Sequence, residues 1–139
     1  MKIPEIVEMY MDSFCHHDID AFFDTFAPDG TYSDPGTDEP ISGQAIKDYL
    51  GGLLAAYPDA IFETVALHVI TENLVVWRWI MYGINTGTFA GRPPTGRHVT
   101  LPGCDFIEVV DSKIQRVEGY HERLTLLQQR GLLPAPPQK

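Results

Sequence analysis

The segment Leu74–Ile84 constrains the fold more than any other stretch of this chain. Written as a strand, it places Val75, Trp77, Trp79 and Met81 on one face and Leu74, Val76, Ile80 and Tyr82 on the other. A strand that is apolar on both faces has to be covered on both. Helices can take one side, and the simplest cover for the other is a second copy of the chain, so a homodimer is expected. The first part of the chain supplies the helices. Pro4 suits a first helical turn, and Ile6, Tyr10 and Phe14 then recur at i, i+4 and i+8, predicting a helix that ends near His16-His17. Asp18 is a good N-cap for a short helix over Ile19–Phe26, with Phe22, Phe23 and Phe26 turned inward. Pro28-Asp29-Gly30 reads as a turn, and Thr31–Asp34 as a short strand stopped by Pro35-Gly36. Ser42 is placed to cap a third helix, from Gly43 to Ala56.

After Pro58-Asp59 the pattern changes. Segments near 61–70, 74–86, 97–110 and 113–121 are rich in Val, Ile, Trp, Tyr and Phe and are broken by turn residues, which predicts strands. Leu124–Arg130 adds a closing helical turn, with Gly131 as its stop. Helices first and long strands after predict an α+β fold, a curved antiparallel sheet wrapped around the N-terminal helices to form a cone with an internal pocket. The expected organisation is one domain over 1–133, followed by a flexible Pro-rich tail, 134–139.

Composition removes several classes of function. The net charge is −9, and the ten Lys and Arg residues are scattered singly, whereas nucleic acid binding needs them clustered against phosphates. The apolar runs are too short to cross a bilayer, and the start of the chain has no apolar signal core, so a cytoplasmic protein without membrane contact is expected. Cys15 and Cys104 form no CxxC motif and are read as two reduced thiols. The five His lack metal-ligand spacing, and the adjacent His16 and His17 point different ways on a helix. GxGxxG, P-loop and GxSxG motifs are all missing, and no cofactor is expected.

Three polar residues fall where the pattern demands apolar burial. Tyr10 lies within the inward stripe of the first helix. Asp34 ends a short strand at a Pro-Gly turn, a position at the rim of a pocket. Asp105 shares alternation parity with Val99, Leu101, Ile107 and Val109, unless a bulge at Pro102-Gly103 shifts it. A carboxyl on an apolar face must find donors, find a cation such as Arg78, or take up a proton. A protonated Asp beside a Tyr hydroxyl gives two donors for a developing enolate oxygen, and a second carboxylate could shuttle the proton. Phe14, Trp79 and Met81 share the inward faces and are expected to line the substrate pocket, as is His121, which has the parity of Val117. Each residue also has a plain structural reading: a packed core Tyr, a turn-forming Asp, one half of a buried pair.

From Tyr10 to Gly43 the chain resembles the ketosteroid isomerases, on Asp18-Ile19-Asp20-Ala21, Phe26-Ala27-Pro28-Asp29-Gly30-Thr31, Ser33-Asp34-Pro35 and Glu39-Pro40-Ile41-Ser42-Gly43. That resemblance implies Tyr10 as the oxyanion-hole tyrosine, Asp34 as the general base and Asp105 as the hydrogen-bond-donating acid. The second half is similar to the SnoaL-like polyketide cyclases, on Gly83-Ile84-Asn85-Thr86-Gly87-Thr88-Phe89-Ala90-Gly91-Arg92-Pro93-Pro94-Thr95-Gly96-Arg97, on Ser112-Lys113-Ile114 and on Gln128–Pro134. Many of those cyclases carry His where this chain has Asn85. Their acid/base residue lies near the end of the last strand, where this chain has His121-Glu122. Both families share the nuclear transport factor two-like cone. The resemblances imply a cofactor-independent enzyme that moves a proton α to a carbonyl of a hydrophobic ketone, or one that closes a ring by intramolecular aldol condensation. The opposing reading is a non-catalytic ligand-binding or dimerisation domain.

Overall fold

The computed structural model describes residues 2–88 and 91–134, so Phe89, Ala90 and all of the expected tail except Pro134 lie outside the described residues. The element order is α1 (Glu5–Cys15), α2 (Ile19–Asp24), β1 (Phe26–Ser33), β2 (Ile41–Ser42), α3 (Gln44–Ala56), β3 (Ile61–Thr71), β4 (Leu74–Ile84), β5 (His98–Val110), β6 (Lys113–His121) and α4 (Arg123–Gln129). The α+β cone expected from the sequence is present: one curved, unclosed sheet wraps the N-terminal helices.

Local chemistry accounts for the helices. Pro4 stands at the N-cap of α1, where its missing N–H costs nothing, and the acidic Glu5 and Glu8 sit in the first turn. The stripe Ile6, Tyr10 and Phe14 is buried as predicted, with Val7 beside it. Asp18 caps α2 by accepting the Ala21 N–H at 3.0 Å. Two boundaries differ from the sequence reading. First, α2 stops at Asp24 and Phe26 opens β1, because Ile114 N–H donates to Thr25 C=O and draws the chain onto β6. Second, Pro28-Asp29-Gly30 lies inside β1 and does not reverse the chain. The β1–β6 register shifts between Phe26 and Thr31, and a Cβ at Gly30 would come within 2.8 Å of the Ile114 carbonyl oxygen. The turn-forming residues therefore make a bulge. Ser42 ends β2 and caps nothing; Gly43, at φ 61°, takes the N-cap of α3 without a side-chain bond.

The strand order is β2-β1-β6-β5-β4-β3, and every neighbouring pair is antiparallel except β1–β6, which is parallel. The parallel pair corrects the all-antiparallel expectation: the first long strand joins the last one, at the far end of a meander. The inner face packs an aromatic cluster. The Tyr10 ring meets Phe14 and Phe22 at centroid distances of 5.2 Å and Trp77 edge-on at 6.1 Å.

On the outer face Arg78 is exposed, and Arg116 pairs with Glu108 at 2.9 Å and Glu118 at 3.2 Å. That face is less uniformly apolar than the alternation in Leu74–Ile84 suggested, although Phe106 and Tyr120 stand exposed on it in an edge-to-face pair. No helix among the described residues is long and apolar enough to cross a membrane. Cys15 and Cys104 are both free.

Candidate active site

Asp105 faces inward because β5 keeps its register. The β4–β5 pairing runs unbroken from Leu74↔Glu108 to Ile84↔His98, with Trp77 opposite Asp105. Pro102-Gly103 introduces no bulge there. Two positions before Pro102, Thr100 turns its N–H and C=O toward the Gln129 side chain of α4, at 2.9 and 3.0 Å. Pro102 has the same orientation, and β6 has already ended opposite Gly103, so the missing N–H falls where there is no ladder to break. Gly103 is needed for another reason. The Trp79 indole lies over it, and a Cβ would come within 2.6 Å of Trp79 Cζ2.

That indole donates from Nε1 to Asp105 Oδ1 at 3.2 Å, while Tyr10 Oη donates to Oδ2 at 2.9 Å. Asp105 is 2% exposed. Burial pushes its carboxyl up to about 7; the Tyr10 and Trp79 hydrogen bonds pull it down, and the Asp34 charge adds to the rise. Burial and the Asp105 charge also hold the Tyr10 phenol well above its ordinary value, so it stays a donor.

Asp34 follows β1 at a turn closed by Thr37 N–H to Asp34 C=O, 3.0 Å. Three donors hold its carboxylate. Gly36 N–H reaches Oδ1 at 2.6 Å, Tyr32 Oη reaches Oδ2 at 2.8 Å, and Tyr49 Oη, from α3, reaches Oδ1 at 2.7 Å and Oδ2 at 2.8 Å. Burial, then the Asp34 charge, pushes both tyrosines upward, so both remain protonated. A carboxylate offers about four lone-pair sites, so three donors leave room for an incoming proton. Gly119 of β6 separates the two carboxyls: a Cβ there would fall 3.0 Å from Asp105 Oδ1 and 3.3 Å from the Asp34 Cβ.

Asp34 and Asp105 line one cavity of about 650 Å³, its open mouth included, with walls that are mostly apolar and aromatic. Phe14, Trp79, Met81 and His121, the residues expected from the sequence to contact a substrate, line it as well. Tyr10 does not; it is fully buried behind Asp105, with its hydroxyl committed to that carboxyl. Arg78 stands in register with Cys104 on the outer face, so it is not the partner of Asp105. His121 Nε2 is buried without a hydrogen-bond partner among the described residues, and burial pushes the imidazole below its ordinary value.

Sequence reasoning missed Tyr32, Tyr49, Gly119 and Arg123, which also line the cavity. Tyr32 was findable, since it sits two residues before Asp34 on the same strand face; Tyr49 was not, because only packing brings α3 over Asp34. Asn85, where many cyclases carry His, is fully buried and works structurally. Its amide donates to the Ala56 and Gly87 carbonyls and accepts from Thr95. Among the described residues no group of three or more His, Cys, Asp or Glu is placed to hold a metal ion.

The cone has the nuclear transport factor two-like, ketosteroid isomerase-like fold. Residues 4–130 match the model of the SnoaL-like polyketide cyclases, and the chain belongs to that family. No curated protein matches it by sequence. Among solved structures it is similar to AclR from Streptomyces galilaeus, provisionally assigned as a hydroxylase (22% identity, TM-score 0.83, covering 96% of this chain and 83% of that one). It is also similar to IdmH from Streptomyces antibioticus, provisionally assigned as a polyketide cyclase (24%, TM-score 0.75, 91% and 96%). A third is a protein of ketosteroid isomerase-like fold from Catenulispora acidiphila DSM 44928, solved with trimethylamine (19%, TM-score 0.77, 98% and 100%). At these identities the likeness is one of fold.

Proposed function

We propose that the protein catalyses cofactor-independent proton transfer at the carbon α to the carbonyl of a hydrophobic ketone. One observation carries this reading: two carboxyls in opposite surroundings face the same largely apolar cavity across Gly119. Asp34, solvated by three fixed donors, is the base. It takes the α-proton, and the C–H electron pair moves toward the carbonyl oxygen. Asp105, whose carboxyl burial pushes up to about 7, turns its O–H in the protonated form to that oxygen as it becomes an enolate. Tyr10 and Trp79 position the Asp105 carboxyl from behind and from the side. Where the ketone carries a β,γ double bond, returning the proton from Asp34 to the γ carbon of the extended enolate shifts that double bond and completes an isomerisation.

Family membership and His121 favour a second outcome at the same site. There the enolate carbon attacks a second carbonyl of the same molecule, a C–C bond forms as the C=O π bond opens, and the new alkoxide takes up the proton that Asp34 removed, directly or by relay. The unpartnered His121 Nε2 in the cavity wall is the group suited to handle that last proton. That Asp34 and Asp105 line one cavity supports the catalytic reading over a binding-only domain with Asp34 turned to solvent.

The deciding experiment follows exchange of α-protons in heavy water for multi-ring ketones and for polyketide β-ketoesters. Wild type should exchange them, and Asp34→Asn should be slower by about 10²–10⁴-fold, the usual size of a lost general base. Full exchange by Asp34→Asn would remove Asp34 as the base. Ring-closed product from the β-ketoesters would select the aldol outcome.

A further inference from the structure

One polar group in the cavity wall takes no part in the chemistry above. Tyr57 ends α3, its N–H donating to Leu53 C=O at 3.0 Å and its Cβ packed beneath Gly83 of β4. It is 1% exposed, it lines the cavity, and its hydroxyl has no hydrogen-bond partner among the described residues. A buried hydroxyl without a partner is costly, and a phenylalanine would fill the same volume without that cost. His121 Nε2, near Asp34, shares the lack of a partner and has its role in the aldol outcome, whereas Tyr32 and Tyr49 are bonded to Asp34 and Tyr10 and Trp79 to Asp105.

Tyr49 and Leu53 lie four residues apart on one face of α3, Tyr57 is the C-cap four residues further on, and all three line the cavity. At 1.5 Å per residue, the Tyr57 backbone lies about 12 Å along the helix axis from that of the tyrosine that holds Asp34. That is a multi-ring distance.

We propose that Tyr57 is a specificity-determining residue whose hydroxyl donates to an oxygen the substrate carries far from its reacting carbonyl, so the cavity takes apolar multi-ring ketones oxygenated at both ends. The inference rests on reading this cavity as the substrate site. Burial raises the Tyr57 phenol above its ordinary value, which keeps it a donor across the physiological range. A site built to donate to a substrate oxygen discriminates strongly against the analogue that lacks it, because the hydroxyl is then left unpaired.

The test uses ring ketones of two to four fused rings, in pairs with and without a second keto group on the far ring. Binding is read by quenching of Trp77 and Trp79 fluorescence, and α-proton exchange in heavy water is read separately. Wild type should bind the doubly oxygenated member of at least one pair roughly tenfold more tightly, the size of one neutral hydrogen bond. Tyr57→Phe should lose that preference, melt no lower than wild type, and bind the singly oxygenated member as before. If wild type discriminates within no pair, or Tyr57→Phe keeps the preference, the assignment falls. A preference lost in Tyr57→Phe while neither protein exchanges protons supports the assignment of Tyr57 and removes the proton-transfer reading instead.

Discussion

Tyr10 and Asp105 stand 95 positions apart in the chain and share a 2.9 Å hydrogen bond, donated by the Tyr10 hydroxyl to Asp105 Oδ2 inside the aromatic core. The bond makes Tyr10 a support for the acid, one step removed from the cavity. Removing it with Tyr10→Phe takes away an influence that lowers the Asp105 pKa, so the carboxyl should hold its proton to higher pH. The alkaline limb of the pH–rate profile should move upward. The fall in kcat should stay below the 10²–10³-fold typical of a lost oxyanion donor, with a stability cost of about 1–3 kcal/mol for the under-satisfied acceptor. A larger fall in kcat with an unmoved pH profile would mean that Tyr10 touches the substrate directly.

Asp105 also makes stability depend on pH in a direction opposite to that of most carboxylates. Its folded pKa is raised from 3.8 to about 7. Between those values the folded chain keeps a proton that the unfolded chain releases, so stability falls as pH rises through that window and is flat above it. At about 1.4 kcal/mol per unit the full effect is about 4 kcal/mol. His121 acts in the reverse sense: burial lowers its pKa, so its contribution is lost on acidification below about 6.5. Comparing urea unfolding of wild type and Asp105→Asn across pH 4 to 8 cancels the His121 contribution. The variant should gain on wild type as pH rises. Parallel curves would mean that Asp105 is not protonated in the folded state. The carboxylic acid C=O band in infrared difference spectra gives a direct check.

Gly119→Ala should fold and fail. The added Cβ would press on Asp105 Oδ1 from 3.0 Å and on the Asp34 Cβ from 3.3 Å, so the Asp105 carboxyl or the Asp34 side chain must give by a few tenths of an ångström. The expected stability loss is about 1–3 kcal/mol, with proton exchange reduced well beyond what that loss explains. Near wild-type exchange at full occupancy would show that the carboxyls need not be apposed.

The outer face of the sheet, with Phe106 and Tyr120 exposed, is expected to pair with a second copy of the chain. Sedimentation at micromolar concentration should give a dimer, and Phe106→Glu should shift it toward monomer. A stable wild-type monomer would contradict the expectation.

Period and parity made much of this molecule legible from its sequence. The i, i+4, i+8 spacing of Ile6, Tyr10 and Phe14 marked α1, Asp18 marked the start of α2, and alternation along β5 turned Asp105 inward, because each of these depends on neighbours in the chain. The bulge in β1 and the parallel β1–β6 pair were not legible, since they are set by a partner strand more than 80 positions away. Arg78 shows the boundary between the two. Alternation gives its side of β4, but only the folded sheet leaves that side exposed and separates it from Asp105. The site divides in the same way. Sequence alone pointed to Asp34, to Asp105 and to the apolar face around them. Tertiary structure decided that Tyr49 of α3 closes over Asp34, that Gly119 lets the two carboxyls approach, and that Tyr10 stands behind the acid and out of the cavity. A side chain's direction follows from its own strand or helix, but its hydrogen-bond partner depends on how separate elements pack, and no local pattern carries that information.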